Sequence, residues 1–235
     1  MPQPFLFRVI DKAVYDYGMI QEGDRILVGA SGGKDSTALI HYFSNRQKRR
    51  GEHFEFTALH IQSEITPPLG GELSALFRDW GVVPESLDVK VLGRLKEGRR
   101  MNCWWCSTQR RTELLDYAIA NGYNKLALGH HLDDVLETLL MNMLNRGELS
   151  TMAPSMRYRN YPLTIIRPLY YADVGAIKEH GSKFGYIGTT CTCSYQDNSG
   201  RKEARRRLEQ LTDGDVAKKN RLLASLRNIC PEYLP

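Results

Sequence analysis

No stretch of the 235 residues stays apolar for the roughly 20 positions that a bilayer-spanning helix needs, which excludes a membrane-spanning chain. The opening residues, Met1-Pro2-Gln3-Pro4-Phe5-Leu6-Phe7-Arg8, lack the basic leader, apolar stretch and small-residue cleavage site of a secretory signal, so a cytoplasmic location is expected. Cysteine is scarce, with five in the chain, and four of them form two close pairs, Cys103/Cys106 and Cys191/Cys193. Thiols so few and so clustered do not make a disulfide framework and point to metal binding or redox chemistry. Internal repeats and low-complexity linkers are missing too, which excludes a solenoid or an array. At 42% hydrophobic and 25% charged residues, the composition is that of an ordinary soluble domain. The length suits one α/β domain with a short extension.

Acidic residues are in the minority, and the net charge is +5. Arg94, Lys96, Arg99, Arg100, Arg110 and Arg111 bracket the first cysteine pair against the single acid Glu97, and Arg201, Lys202, Arg205, Arg206 and Arg207 follow the second. One basic run is ordinarily a solvated helix face. Two runs beside two cysteine pairs point to a polyanionic partner.

Apolar spacing predicts a helix over 5–19, then a buried strand over 24–30, a glycine-rich turn and a helix over 35–49. Strands are predicted over 54–61, 87–92, 125–129 and 163–166, and helices over 73–80, 109–120, 133–144 and 172–184. From Asn198 onward the pattern is helical, with a break at Asp213-Gly214. Alternating strands and helices imply a doubly wound parallel sheet of five strands, covered on both faces. The expected organisation is an N-terminal helix (1–19), an α/β domain (20–190) and a C-terminal, cysteine-containing helical extension (191–235). In such sheets ligands bind beyond the carboxyl ends of the strands.

The loop after the first strand, Ser31-Gly32-Gly33-Lys34-Asp35-Ser36, has the makings of a phosphate cradle. Its glycines let consecutive N–H groups converge, Lys34 adds a charge, and the next helix presents its positive end. It is not a Walker A loop: Gly29 lies one residue too near Gly33-Lys34, and Asp35 stands where Ser or Thr is needed. The Cys103-Trp104-Trp105-Cys106 motif is expected just ahead of a helix. Four thiolates would suit structural zinc, and three would suit an iron–sulfur cluster with one iron left open.

The hexapeptide SGGKDS at the end of a first strand resembles the hallmark SGGxDS of the PP-loop ATP pyrophosphatases. Ala127-Leu128-Gly129-His130-His131-Leu132-Asp133-Asp134, followed in order by Asn142-Met143 and Ile166-Arg167-Pro168-Leu169, is similar to the tRNA 2-thiocytidine synthetase family (TtcA-type). The resemblance runs from about Met19 to about Arg207 and implies a HUP-like fold, cleavage of ATP to AMP and pyrophosphate, and thiolation of cytidine 32 in tRNA. Ser31, Gly32, Gly33, Lys34, Asp35 and Ser36 would form the pyrophosphate site, and Gly29, Ala30, His60 and Ile61 would line the adenosine pocket. Gly129, His130 and Arg167 would complete the nucleotide site. Asp35 and Asp134 would hold Mg²⁺, although Asp133 and Asp134 at a helix start also simply complement its dipole.

The same resemblance implies a [4Fe–4S] cluster on Cys103, Cys106 and Cys193, with Cys191 the runner-up, and leaves Cys230 outside the site. Trp104 and Trp105 depart from the small or polar residues that the family has there. Sulfur would come from a cysteine desulfurase or as inorganic sulfide, and a homodimer is compatible with the sequence. Rival readings are thiolation of a uridine or another substrate, a zinc-stapled PP-loop ligase or amidase-like enzyme, and a tRNA-binding module without catalysis.

Overall fold

A computed structural model describes residues 3–95, 98, 101–158, 161–187 and 199–233. The elements are α1 (Phe5–Asp16), β1 (Arg25–Gly29), α2 (Lys34–Gln47), β2 (Glu55–Ser63), α3 (Gly71–Asp79), β3 (Glu85–Val89), α4 (Cys103–Ala120) and β4 (Lys125–Ala127). They continue with α5 (Leu132–Arg146), β5 (Ser155–Arg157), β6 (Thr164–Ile166), α6 (Val174–Lys183), α7 (Ser199–Thr212) and α8 (Val216–Ser225). No described helix is long and apolar enough to cross a membrane.

The strands form one sheet in the order β3-β2-β1-β4-β6-β5, parallel except for β5, which runs antiparallel to β6 at the edge. The expected sheet had five strands, and the described residues contain six. The added strand β5 is three partly exposed residues, Ser-Met-Arg, too short and too polar for an alternation to register. It pairs with β6, and next to the pair Tyr158 N–H donates to the Leu163 carbonyl at 2.9 Å.

Ile26, Leu27 and Val28 of β1 are all buried, as befits a central strand covered on both faces. Ile26 and Val28 point into the larger core with α1, α2, α5 and α6. Leu27 faces the opposite way, onto Leu114, Leu115 and Ala118 of α4. Alternation at period two therefore assigns each residue of β1 and β2 to one face. Helix α2 is pinned by Tyr42 and Phe43, both fully buried, each contributing about 1.5–3 kcal/mol by burial. That anchoring fixes the start of α2, where the glycine-rich loop ends.

Several boundaries differ from the periodicity reading, three of them with a bearing on the site or the sheet. Helix α4 begins at Cys103 rather than Gln109, because the Asn102 side chain caps it by accepting from Trp105 N–H at 2.9 Å. Residues 168–171 form a separate 3-10 turn, and α6 starts at Val174 where Asp173 accepts from Gly175 N–H. Strand β3 lies at 85–89 instead of 87–92. The break at Asp213-Gly214 is present, with both residues at positive φ, 52° and 70°, before Asp215 caps α8. Leu208 of α7 and Leu223 of α8 join the larger core.

Candidate active site

β1 ends at Gly29 and the chain turns into α2 through Gly32, whose φ of 78° lies in the left-handed region that favours glycine. Gly33 caps α2 with no side-chain hydrogen bond, so the first-turn N–H groups remain available to an anion at the positive helix end. The Ser36 and Thr37 hydroxyls both donate to the Gly33 carbonyl at 3.0 Å, and Ser31 Oγ lies 3.0 Å from Ser36 Oγ. The loop is thus closed on itself. Lys34 Nζ reaches both Asp35 carboxylate oxygens at 2.9 Å.

A cavity of about 270 Å³ opens beside this loop, beyond the carboxyl end of the strands. Leu59, Ile61, Leu114 and Leu128 give it an apolar side next to Gly29 and Ala30. Its polar side carries Ser31, Asp35, Ser36, His130 and Asp134, together with Arg110, Arg111 and Arg201. A flat apolar group and a polyanion can therefore bind end to end. Gly129 sits where a Cβ would come within 3.2 Å of the Asp35 and Ser36 backbone, so the strand-end residue and the loop are in close contact.

His60, expected on the adenosine pocket, does not line the cavity. Leu59 and Ile61 face α4, and residue 60 between them points to the other side of the sheet. There its ring is 2% exposed, with Nδ1 2.7 Å from the Ala30 carbonyl and Nε2 3.0 Å from that of Pro67. Gly32, Gly33 and Lys34 form the loop without lining the cavity. Arg167 is buried behind it, donating from Nη1 to the Ala153 carbonyl and from Nε to His130 Nδ1 at 3.4 Å. Burial, then the charge of Arg111, pulls the Arg167 guanidinium down to about 10. Burial, then the charge of Arg167, keeps His130 well below the usual histidine range and hence neutral. With Nδ1 accepting, the neutral ring carries its proton on Nε2.

The start of α5 separates its two aspartates. Asp133 is committed to structure: Oδ1 takes Lys219 of α8 at 2.7 Å and Oδ2 accepts from Val174 N–H at 2.9 Å. Asp134 faces the cavity, with Oδ2 3.5 Å from His131 Nε2 and 3.2 Å from His131 N–H. His131 Nε2 is also 3.8 Å from Asp35 Oδ1, so one buried ring stands beside both cavity carboxylates. Burial would raise the Asp134 carboxyl, but the charges of His131 and Arg201 outweigh it and hold the group below the usual range.

Helix α4 forms the remaining wall. Ser107, Arg110, Arg111 and Leu114 line the cavity. Cys103 and Cys106 occupy the first turn of the same helix, one turn apart and at its positive end.

A model of the PP-loop domain matches residues 6–187. The chain is 36% identical over 230 residues to the tRNA-cytidine(32) 2-sulfurtransferase of Geotalea uraniireducens (strain Rf4), covering 96% of this chain and 91% of that one. It is 34% identical over 230 residues to the protein of that name from Geobacter sulfurreducens, covering 96% and 90%, and 32% identical over 238 residues to that of Syntrophotalea carbinolica, covering 97% and 92%. The chain belongs to the tRNA-cytidine(32) 2-sulfurtransferase family of PP-loop proteins. The fold is also that of the U34-tRNA thiolase NcsA from Methanococcus maripaludis, solved with its [4Fe-4S] cluster. That match has a TM-score of 0.74 at 20% identity and covers 96% of this chain and 80% of the other.

Within this family member, the arginines of the two basic runs have different surroundings. Arg110 and Arg111 line the cavity. Arg205 Nε lies 2.7 Å from Oε1 of the buried Glu137, and Arg206 and Arg207 both pair with Glu203 at 2.7 Å. Glu137, now beside the site, carried no role in the sequence reading, whereas His131 stood there only within the family motif and Arg201 only within the second basic run. A usable signal was present for Glu137, a charge on the otherwise apolar stripe Val135, Leu136, Leu139 and Leu140. Cys191 and Cys193 lie outside the described residues.

Proposed function

We propose that the chain is a cytoplasmic, ATP-dependent tRNA-cytidine 2-sulfurtransferase that adenylates the C2 oxygen of a cytidine, at position 32, and replaces that oxygen with sulfur. The observation that carries this reading is the double use of α4. Its first turn holds Cys103 and Cys106, and its next turns wall the cavity beside the Ser31–Ser36 loop. Nucleotide binding and thiolate chemistry therefore share one rigid element. The names of the relatives at 32–36% identity support the same chemistry.

The apolar side of the cavity takes the adenine, and the first-turn N–H groups of α2 with Lys34 take the β- and γ-phosphates. The C2 oxygen bonds to the α-phosphorus, and the bridging oxygen leaves with pyrophosphate onto the loop. Neutral His130, its Nδ1 engaged by Arg167, offers an Nε2–H donor to the cavity. AMP, a far better leaving group than the original oxygen, then departs as sulfur bonds to C2.

Mg²⁺ prefers oxygen ligands. Asp35 and Asp134 suit it, both standing within 3.8 Å of His131 Nε2. A [4Fe–4S] cluster would be held by Cys103, Cys106 and Cys193, with Cys191 the runner-up. When bound, it supplies an iron with one open position for sulfur, drawn from a cysteine desulfurase or from inorganic sulfide. The deciding experiment is tRNA-dependent release of AMP by the anaerobically reconstituted chain, with mass spectrometry of the tRNA nucleosides. Lys34→Ala and Asp35→Ala should abolish AMP release and keep the fold. Wild-type turnover in either variant at saturating ATP rejects the loop assignment. Stoichiometric zinc without iron makes the cysteines purely structural.

A further inference from the structure

We propose that Arg201, delivered by α7 from the C-terminal part of the chain, binds the α-phosphate of the nucleotide, and that the buried carboxylate of Glu137 positions it. The inference rests on the ATP reading of the cavity and goes beyond it. All other cavity residues belong to the loop, the strand ends, α4 or the start of α5; Arg201 alone comes from the last two helices.

Glu137 is 0% exposed and lies on the core-facing stripe of α5, one turn after Asp134. A carboxylate buried there is costly unless cations compensate it, and an apolar side chain would pack α5 equally well. Its two oxygens are divided between two arginines of α7. Oε1 takes Arg205 Nε at 2.7 Å, while Oε2 makes no hydrogen bond and lies 3.5 Å from Arg201 Nε. Arg205 thus holds α7 on α5, and the second oxygen restrains the stem of Arg201 without saturating its guanidinium.

The far end of that guanidinium is loosely engaged, with Nη1 3.9 Å from Asp134 Oδ1 and the side chain 36% exposed. Of its five N–H donors, those on the terminal nitrogens remain for a ligand, and their planar fork fits two oxygens of one phosphate. Asp134 is the carboxylate that suits a magnesium ion. Arrival of Mg-ATP would draw Asp134 to the metal and leave Arg201 to the phosphate. There it would offset the negative charge gathered as the C2 oxygen bonds to the α-phosphorus and the bridging oxygen leaves with its electron pair.

The test uses the full chain with tRNA and Mg-ATP, scoring KM for ATP and kcat for AMP release, with thermal midpoints alongside. Arg201→Ala should lower kcat by about 10²-fold, the loss typical of one transition-state donor. Its KM for ATP should rise about tenfold, with a lowered midpoint because Glu137 keeps only Arg205 as its cation. Arg201→Gln retains the stem and an N–H for Glu137, and should fold even if the alanine variant does not, with the same loss in kcat. Arg201→Lys should recover only part of it, since an ammonium is a point charge. Glu137→Gln should move KM more than kcat. A folded Arg201→Gln with wild-type kcat and KM overturns the proposal. A wild-type chain that binds no Mg-ATP in equilibrium titration overturns the ATP reading instead.

Discussion

Replacement of Gly129 by alanine tests how closely the loop and the strand end are joined. The added Cβ would sit 3.2 Å from Asp35 C and Ser36 N and 3.4 Å from Asp35 Cβ. Two of those atoms are backbone at the start of α2, so no flexible side chain can swing aside. Relief requires α2 to retreat by a few tenths of an ångström, and α2 is pinned by the fully buried Tyr42 and Phe43. Overpacking of this kind costs about 1–3 kcal/mol. For a chain of 235 residues each kcal/mol lowers the thermal midpoint by roughly 2–4 °C. The same displacement moves the phosphate-binding amides and Asp35 relative to the reacting atoms, where a misplacement near 1 Å costs about 10²-fold in rate. Gly129→Ala should therefore melt several degrees lower and release AMP at least tenfold more slowly, the slowing persisting well below its midpoint. A variant that melts and turns over like the parent would show that strand end and loop are not in contact and that the amides of α2 do not hold the phosphates.

Lys219→Met leaves Asp133 buried without its cation and should destabilise the chain by about 3–5 kcal/mol, read by urea unfolding; Asp133→Asn in the same chain should return much of the loss. His41 and His180 face each other at 3.1 Å in an aromatic cluster with Trp80, and burial depresses them to about 3 and about 4. Their folded values lie below the unfolded 6.5, so the stability they contribute is complete above pH 6.5 and falls away as the pH drops toward 4. Unfolding midpoints should decline through that window, and less steeply in a His41→Phe, His180→Gln chain, with His130 supplying part of what remains. Alanine at Cys103, Cys106 or Cys193 should remove the brown chromophore and tRNA thiolation together, whereas Cys191→Ala and Cys230→Ala should keep both; loss on Cys191→Ala with retention on Cys193→Ala would move the third ligand by two residues.

The parallel core of the fold was legible because its strands are central and apolar. Ile26, Leu27 and Val28 follow one another without a polar interruption, and the loop that follows combines Gly, Lys, Asp and Ser in a way that simple chain reversal does not require. β5 was illegible because an edge strand of three partly exposed residues owes its existence to its partner. His60 was misplaced because proximity in sequence to a strand end does not specify a face, and period two sends neighbours in opposite directions. Helix α4 was begun too late because the apolar period starts after the basic stretch, whereas the helix itself starts from a capping bond made by Asn102. That cap puts Cys103 and Cys106 in the first turn of the helix whose next turns line the cavity.

The arginines show where charge counting stops being informative. Arg201 and Arg205 belong to the same basic run, yet one lines the cavity and the other is spent on Glu137. Only the packing of α7 on α5 separates them. The same packing gives the helices after residue 198 a direct bearing on the cavity. Asp133 and Asp134 are adjacent; the first holds α8 through Lys219, and the second borders the site. A disturbance of α8 that frees Asp133 from Lys219 acts on the first turn of α5, which also carries Asp134. The Lys219→Met chain should therefore lose ATP-dependent turnover at temperatures where it is still folded, whereas an apolar-to-alanine change of equal cost in α1, at Leu6, should not.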